Sequence, residues 1–190
     1  MTESAEPSYR NSAHRWGWPA KLFHWLGAVL VLGLTAQGWW MTHLLERAGR
    51  LPQYHLHGVI GYYLGVALLL RLVWRAMNRA PDHPPGLQAW ENRAATLGHW
   101  ALYLAMIAIT LGGWLMHSAF PRRQAVELFG LLPIPYAFAE PNRDRFRLFE
   151  DVHLWMAYGL LALVVVHALA ALRHHVVKKN DVMRRMSPFG

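Results

Sequence analysis

The sequence predicts an all-α fold, an integral membrane bundle of four helices. Apolar residues make up 54% of the 190-residue chain and ten residues are tryptophan, a composition unusual for a small soluble domain. Four apolar runs have the length of roughly 20 residues that a helix needs to cross a bilayer. These runs are Leu22–Met41, Tyr54–Trp74, Thr96–His117 and Val152–Leu172.

The spans divide the chain into three predicted parts. Residues 1–21 form a cytoplasmic N-terminal segment, residues 22–175 the transmembrane domain, and residues 176–190 a cytoplasmic C-terminal tail. The first span begins well inside the chain and lacks a small-residue cleavage site. We therefore expect it to be a retained helix rather than a signal peptide.

The charge distribution predicts the orientation of the bundle. The formal net charge is +8, but the basic residues lie in short segments between the apolar runs, which favours membrane flanks over a nucleic-acid interface. Of the 19 Lys and Arg residues, twelve lie on the side that carries both termini. The positive-inside rule therefore places both termini in the cytoplasm.

Of the histidines within the spans, four have a small residue four positions later. Such a residue lies one helical turn onward on the same face and leaves room for a flat macrocycle beside the helix. Because imidazole is an axial ligand of haem iron, the pattern predicts two bis-histidine haems. The pairs in sequence are His24 and Ala28, His57 and Gly61, His153 and Ala157, and His167 and Ala171.

Depth in the membrane pairs these histidines. Antiparallel spans bring the start of one helix level with the end of its neighbour, so His24 pairs with His167 near the cytoplasmic side. His57 and His153 pair near the outer side by the same argument. Because His153 and His167 are fourteen residues apart, about 21 Å and nearly four turns along one helix, a single helix can ligate two stacked haems.

Competing interpretations of the histidines stay open at this point. His55 and His99 are rival ligands, although bulkier residues follow them at the four-residue spacing. Buried imidazoles can also hydrogen-bond between helices, line a proton path or bind another ion, as in a haem-free membrane scaffold or metal carrier. The absence of cysteine excludes thiolate ligation and covalent c-type haem attachment.

The third connection carries a cluster of arginines that runs against the positive-inside rule. Acidic residues alternate with them, so the net charge of the connection is near zero. Two interpretations follow: the arginines form exposed ion pairs, which are worth little, or they attract a small anion towards the site beneath. The cluster is Arg122, Arg123, Arg143, Arg145 and Arg147.

Several motifs together resemble the bacterial cytochrome b561 family. The resemblance covers nearly the whole chain, is closest to the superoxide oxidase type, and is more distant from hydrogenase b-type cytochromes. The motifs are Phe23-His24-Trp25-Leu26, His57 to Gly61 with Leu70-Arg71-Leu72, Leu97-Gly98-His99 with Leu102-Tyr103, Phe129-Gly130-Leu131, Asp151-Val152-His153, and His167-Ala168 with His174-His175.

The resemblance implies a protein of the bacterial inner membrane with two haem b groups, ligated by His24 with His167 and by His57 with His153. It implies an oxidoreductase that passes electrons from superoxide, drawn in by the arginine cluster, to ubiquinone near His174. The acidic residues between the arginines depart from the family pattern. The alternative is an electron-transfer subunit that links the quinone pool to a redox partner protein.

Overall fold

Four long helices dominate the computed structural model, which describes residues 8–82 and 86–188. They are α1 (Trp18–His43), α2 (Arg47–Met77), α3 (Ala89–Ala119) and α4 (Arg143–Val176). All four are long and apolar enough to cross a membrane, and each contains one of the predicted spans. The predicted class, an all-α membrane bundle, is confirmed. The ends of the predicted terminal segments, residues 1–7 and 189–190, lie outside the described residues.

A small hydrophobic core lies in the middle of the bundle. Helix α1 packs on α2, α2 on α3, and α3 on α4. The core cluster consists of Val31 and Leu34 of α1, Leu64 of α2 and Leu160 of α4. Leu160 is seven residues, about two turns, from both His153 and His167. The core layer therefore separates the two predicted histidine pairs.

The outward faces of the four helices are apolar and exposed. One residue of each helix illustrates this, because Val29, Leu69, Leu104 and Val166 are all more than 60% exposed. Such a surface is unfavourable in water and suits contact with lipid. The protein is a multi-pass membrane protein.

Polar side chains cap the starts of α3 and α4. Gln88 and Glu91 form a capping box at the start of α3. The Asn142 side chain accepts a hydrogen bond of 2.8 Å from the Arg145 backbone N–H at the start of α4. After α4, the backbone turns at Lys179, which has a positive φ of 52°, and continues into the short helix α5 (Val182–Met186).

The third connection folds into a hairpin that the sequence did not predict. Strands β1 (Glu127–Leu128) and β2 (Leu132–Pro133) pair antiparallel. The turn between them has positive φ values at Phe129 (55°) and Gly130 (65°). The Tyr63 hydroxyl accepts a hydrogen bond from the Phe129 N–H at 3.1 Å, which ties the hairpin to α2. We call the side of this hairpin the outer side and the opposite side the inner side.

Candidate functional site

Two histidines from α2 and α4 face each other on the outer side of the core. The ring centroids of His57 and His153 are 6.3 Å apart. The Nδ1 atom of His57 is buried and has no hydrogen-bond partner among the described residues, whereas His153 interacts with the Ile109 backbone. Buried polar atoms are nearly always satisfied in folded proteins, so the orphan nitrogen of His57 indicates a ligand site.

The spacing of this outer pair fits one metal ion between two imidazoles. An imidazole nitrogen binds a metal at about 2 Å, so two imidazoles on opposite sides of one ion have ring centroids about 6.3 Å apart. No cluster of three or more His, Asp or Glu side chains suited to a metal ion occurs within residues 8–82 and 86–188. The site thus fits an ion whose remaining ligands come from a macrocycle, as in haem.

A cavity of about 810 Å³ adjoins the outer pair and has side chains from all four long helices in its lining. Glycines leave space beside both rings: a Cβ on Gly38 would lie 3.6 Å from His57 Cε1, and one on Gly113 would lie 3.2 Å from His153 Cε1. Gly61, the predicted small follower of His57, lines the cavity and has open space where a Cβ would be. The cavity is large enough for a macrocycle.

Polar side chains line the outer end of the same cavity. The Tyr62 hydroxyl and His117 Nδ1 form a hydrogen bond of 2.9 Å. Arg122, Glu150 and Asp151 also contribute to the lining. The cavity therefore connects the apolar region beside the histidine rings with a charged surface.

Arg123 has a structural role in the outer loop. Its guanidinium donates hydrogen bonds to the backbone oxygens of Ser118 (2.6 Å), Phe138 (2.8 Å) and Ala139 (2.6 Å). It also lies 4.0 Å from the centroid of the Tyr136 ring. This side chain fastens the loop to the end of α3 and is not free to move with an approaching anion.

The other loop arginines are not held by carboxylates. Arg145 lies over the Phe138 ring at 4.2 Å, and Arg122, Arg143 and Arg147 are exposed. No salt bridge joins any of the five loop arginines to a carboxylate in the part of the chain that the structure describes. Arg147 does interact electrostatically with Glu150 at longer range, so both interpretations of the cluster stay open.

A second histidine pair lies on the inner side of the core. The ring centroids of His24 and His167 are 6.2 Å apart, again close to the separation for two imidazoles on one metal. His99 of α3 is also adjacent, with its centroid 5.5 Å from that of His167. This shorter separation would have to lengthen to admit an ion between the two rings. The geometry fits the His24 and His167 pair better.

The inner pair differs from the outer pair in that its rings have a polar neighbour. Arg71 Nη2 lies 3.2 Å from His24 Nδ1, and Arg71 Nε donates to the Tyr103 hydroxyl at 3.1 Å. A cavity lined by Phe23, Gly27 and Arg71 has a volume of only about 10 Å³, near the limit for one water molecule. The sequence analysis counted Arg71 as an inner-side charge and as part of a family motif but assigned it no role, although an arginine inside an apolar span is itself a signal of function.

His174 lies at the inner end of α4, where the chain turns back. Asn180 Nδ2 is 3.1 Å from His174 Nδ1, and the Asn180 N–H donates to the His174 carbonyl at 3.2 Å. An amide NH₂ group is a donor, so His174 Nδ1 accepts and Nε2 carries the ring proton. The fold therefore fixes both the orientation and the tautomer of this half-buried imidazole.

Comparison with known proteins gives a consistent result. The family model described as prokaryotic cytochrome b561 matches residues 15–189. Cytochrome b561 homolog 2 of Escherichia coli strain K12 is 33% identical over 182 residues, which cover 94% of each chain. The probable superoxide oxidase CybB of Yersinia pestis is 32% identical over 169 residues, 87% of this chain and 91% of the relative. Cytochrome b561 homolog 1 of E. coli is 28% identical over 174 residues, 87% of this chain and 92% of that protein.

Proposed function

This chain belongs to the prokaryotic cytochrome b561 family, and on that premise we propose that it carries electrons from superoxide on the outer side to ubiquinone on the inner side. Membership makes it a membrane electron-transfer cytochrome with b-type haem. We further propose two haems, one held by His57 and His153 and the other by His24 and His167. This orientation places both termini in the cytoplasm, in agreement with the positive-inside rule.

The outer cavity is the observation that carries the proposal. It extends from the facing rings of His57 and His153 to Arg122 at the charged end. A small anion therefore has a route to the edge of the outer site. Arg122, which forms no salt bridge within the described residues, would raise the local anion concentration, and Glu150 and Asp151 in the same lining would oppose it. The 32% identity to a protein named as a probable superoxide oxidase supports the same substrate.

The residues have separable roles in this proposal. When bound, haem iron supplies reversible one-electron chemistry, which lets a one-electron donor and a two-electron acceptor share one protein. The four histidines hold the two sites on opposite sides of the core layer around Leu160. At the inner end, the His174 Nε2–H is oriented to donate a hydrogen bond to a quinone oxygen, and Asn180 holds it there.

A partner protein is the second candidate for the electron donor. Phe129, Leu131 and Leu132 at the tip of the hairpin are all at least 60% exposed. An apolar patch on an outer loop suits docking of another protein. In that case the chain is an electron-transfer subunit with the same haems, and the outer cavity is not used by superoxide.

The purified protein with ubiquinone and an enzymatic source of superoxide distinguishes the two candidates. We expect the absorption spectrum to show that the b-type haem becomes reduced, and we expect the quinone to become reduced as well. Added superoxide dismutase should abolish both reactions. The rate should fall with ionic strength, because electrostatic steering is screened by salt. Arg122→Gln should lower the rate several-fold at low salt.

Arg47→Gln is the matched control for this experiment. Arg47 is exposed at the outer start of α2 but does not line the cavity. Its loss removes the same charge and should change the rate less than the loss of Arg122. A quinone reduction rate that stays negligible beside uncatalysed dismutation would contradict the superoxide proposal and favour the partner protein.

A further inference from the structure

Arg71 is a cation inside a membrane span. Within the described residues it has no carboxylate partner. Charged side chains in spans are costly and normally pair with an opposite charge. Across residues 8–82 and 86–188, no Asp or Glu forms a salt bridge with Arg71. Its hydrogen bonds reach only neutral groups, the Tyr103 hydroxyl and the His24 ring.

The hydrogen bond between Arg71 and His24 is incompatible with metal ligation by His24. Arginine only donates, so His24 Nδ1 must accept and its other nitrogen carries the proton. A metal-bound neutral imidazole instead directs one lone pair at the metal and carries its proton on the other nitrogen. Neither nitrogen of a ligating His24 can therefore accept from Arg71. A His24 that ligates haem therefore leaves Arg71 with the Tyr103 hydroxyl and in need of another acceptor.

We propose that the Arg71 guanidinium binds a propionate carboxylate of the inner haem. This inference rests on the proposed function, in which His24 and His167 hold a haem. Each b haem carries two propionates, and guanidinium binds carboxylate with two parallel hydrogen bonds. The propionate thus gives Arg71 the opposite charge with which a cation inside a span normally pairs.

Neighbouring groups prepare Arg71 for this ion pair. Tyr103 is 5% exposed and holds Nε, which leaves both Nη groups to face a carboxylate. Arg75 lies one turn closer to the inner surface, with its guanidinium carbon 5.5 Å from the Tyr103 ring centroid and 5.6 Å from that of Trp100. The two cations define a path along α2 for a carboxylate that points towards the inner surface.

Arg71→Gln tests the proposal through haem content and redox potential. Haem is counted per chain by the pyridine haemochrome assay, and a redox titration resolves the two haems. We expect less than half occupancy of the inner haem. Any inner haem that is retained should have a lower midpoint potential, because a lost positive charge no longer favours the reduced form. Arg79→Gln removes a charge from a side chain that is 90% exposed and should change neither quantity.

Arg71→Lys keeps the positive charge but removes the guanidinium that can bind a carboxylate through two parallel hydrogen bonds. We expect it to retain the inner haem and to shift the propionate carboxylate bands in redox-difference infrared spectra. A purely structural role would leave those bands unchanged, so unchanged bands in Arg71→Lys overturn the proposal. The infrared measurement on Arg71→Lys also tests the proposal if Arg71→Gln does not accumulate in the membrane.

The premise and the proposal fail in different ways. Two haems at unchanged potentials in Arg71→Gln would overturn the role of Arg71 alone. An unmodified protein with one haem, or a His24→Ala variant that keeps both haems, would overturn the inner site itself and the proposal with it.

Discussion

The outer and inner histidine pairs have nearly the same ring separation but opposite surroundings. The outer pair lies beside a cavity of about 810 Å³, and His57 Nδ1 has no hydrogen-bond partner within the described residues. In the inner pair, Arg71 contacts His24 at 3.2 Å. The comparison teaches that open space adjoins the outer rings, whereas a cation without a carboxylate partner among the described residues adjoins the inner rings.

The strongest test of this comparison is selective loss of one haem. His153→Ala should remove the outer haem and His24→Ala the inner haem, because each variant deletes one of the two proposed ligands of that haem. We expect about one haem per chain in either variant by the pyridine haemochrome assay, with a different midpoint potential surviving in each. Two haems in His153→Ala would show that the ligand assignment is wrong.

His99→Ala is the matched control for the inner site. The His99 ring lies 5.5 Å from that of His167, so this variant removes a neighbouring imidazole without removing a proposed ligand. It should keep two haems. If it loses one while His24→Ala loses none, His99 replaces His24 in the inner pair.

The two ends of the bundle are also held together by different chemistry, and the outer end should show the larger loss of stability. Arg123→Gln deletes three hydrogen bonds to carbonyls of the outer loop and a contact with the Tyr136 ring. Hydrogen bonds to charged groups contribute about 1.5–3 kcal/mol each, and solvent replaces part of this. We expect a loss on the order of 2 kcal/mol, measured as a lower thermal unfolding midpoint.

Arg122→Gln serves as the control for the stability measurement. Arg122 is exposed and belongs to the same loop, so its loss should leave the unfolding midpoint unchanged while it lowers the superoxide rate. Equal midpoints for the Arg122 and Arg123 variants would contradict the structural role of Arg123.

The inner end depends on a buried carboxylate. Glu91 has a side chain only 5% exposed, with Lys178 Nζ at 2.6 Å and Arg173 Nη1 at 3.2 Å from Oε1. Glu91→Gln keeps the shape of the side chain but removes its negative charge. Arg173 and Lys178, which are both partly exposed, then depend on water for solvation. We expect a lower thermal unfolding midpoint, with a smaller shift than in Arg123→Gln, because solvent replaces part of the lost contacts. A midpoint equal to that of the unmodified protein would show that the contacts of α3 with α4 do not need this charge.

Sequence reasoning predicted positions along the membrane normal better than positions around each helix axis. The apolar runs and the antiparallel order were enough to predict the spans and the adjacency of His57 with His153 and of His24 with His167. Ligation of haem by these rings stays a prediction. The contact of Arg71 with Tyr103 was missed, because it depends on how α2 and α3 are rotated about their own axes.

The outer hairpin was missed for a related reason. Its strands have two residues each, too few for a period-two pattern, and the Phe129 turn depends on a hydrogen bond to Tyr63 far away in sequence. The charge of the third connection was visible from sequence, but the assignment of Arg123 to carbonyls and Arg122 to the cavity required the folded loop.

The smallest expected effect tests whether the outer site is shaped by its glycines. A Cβ on Gly113 would lie 3.2 Å from His153 Cε1, whereas a Cβ on Gly98 of the same helix meets nothing within 4 Å. Both Gly→Ala changes raise the helix propensity by a similar amount, up to about 1 kcal/mol. A different effect of the two variants therefore reports the contact of the new Cβ with His153. We expect Gly113→Ala to shift the midpoint potential of the outer haem only, and Gly98→Ala to shift neither. A shift confined to the inner haem would show that His153 does not belong to the outer site.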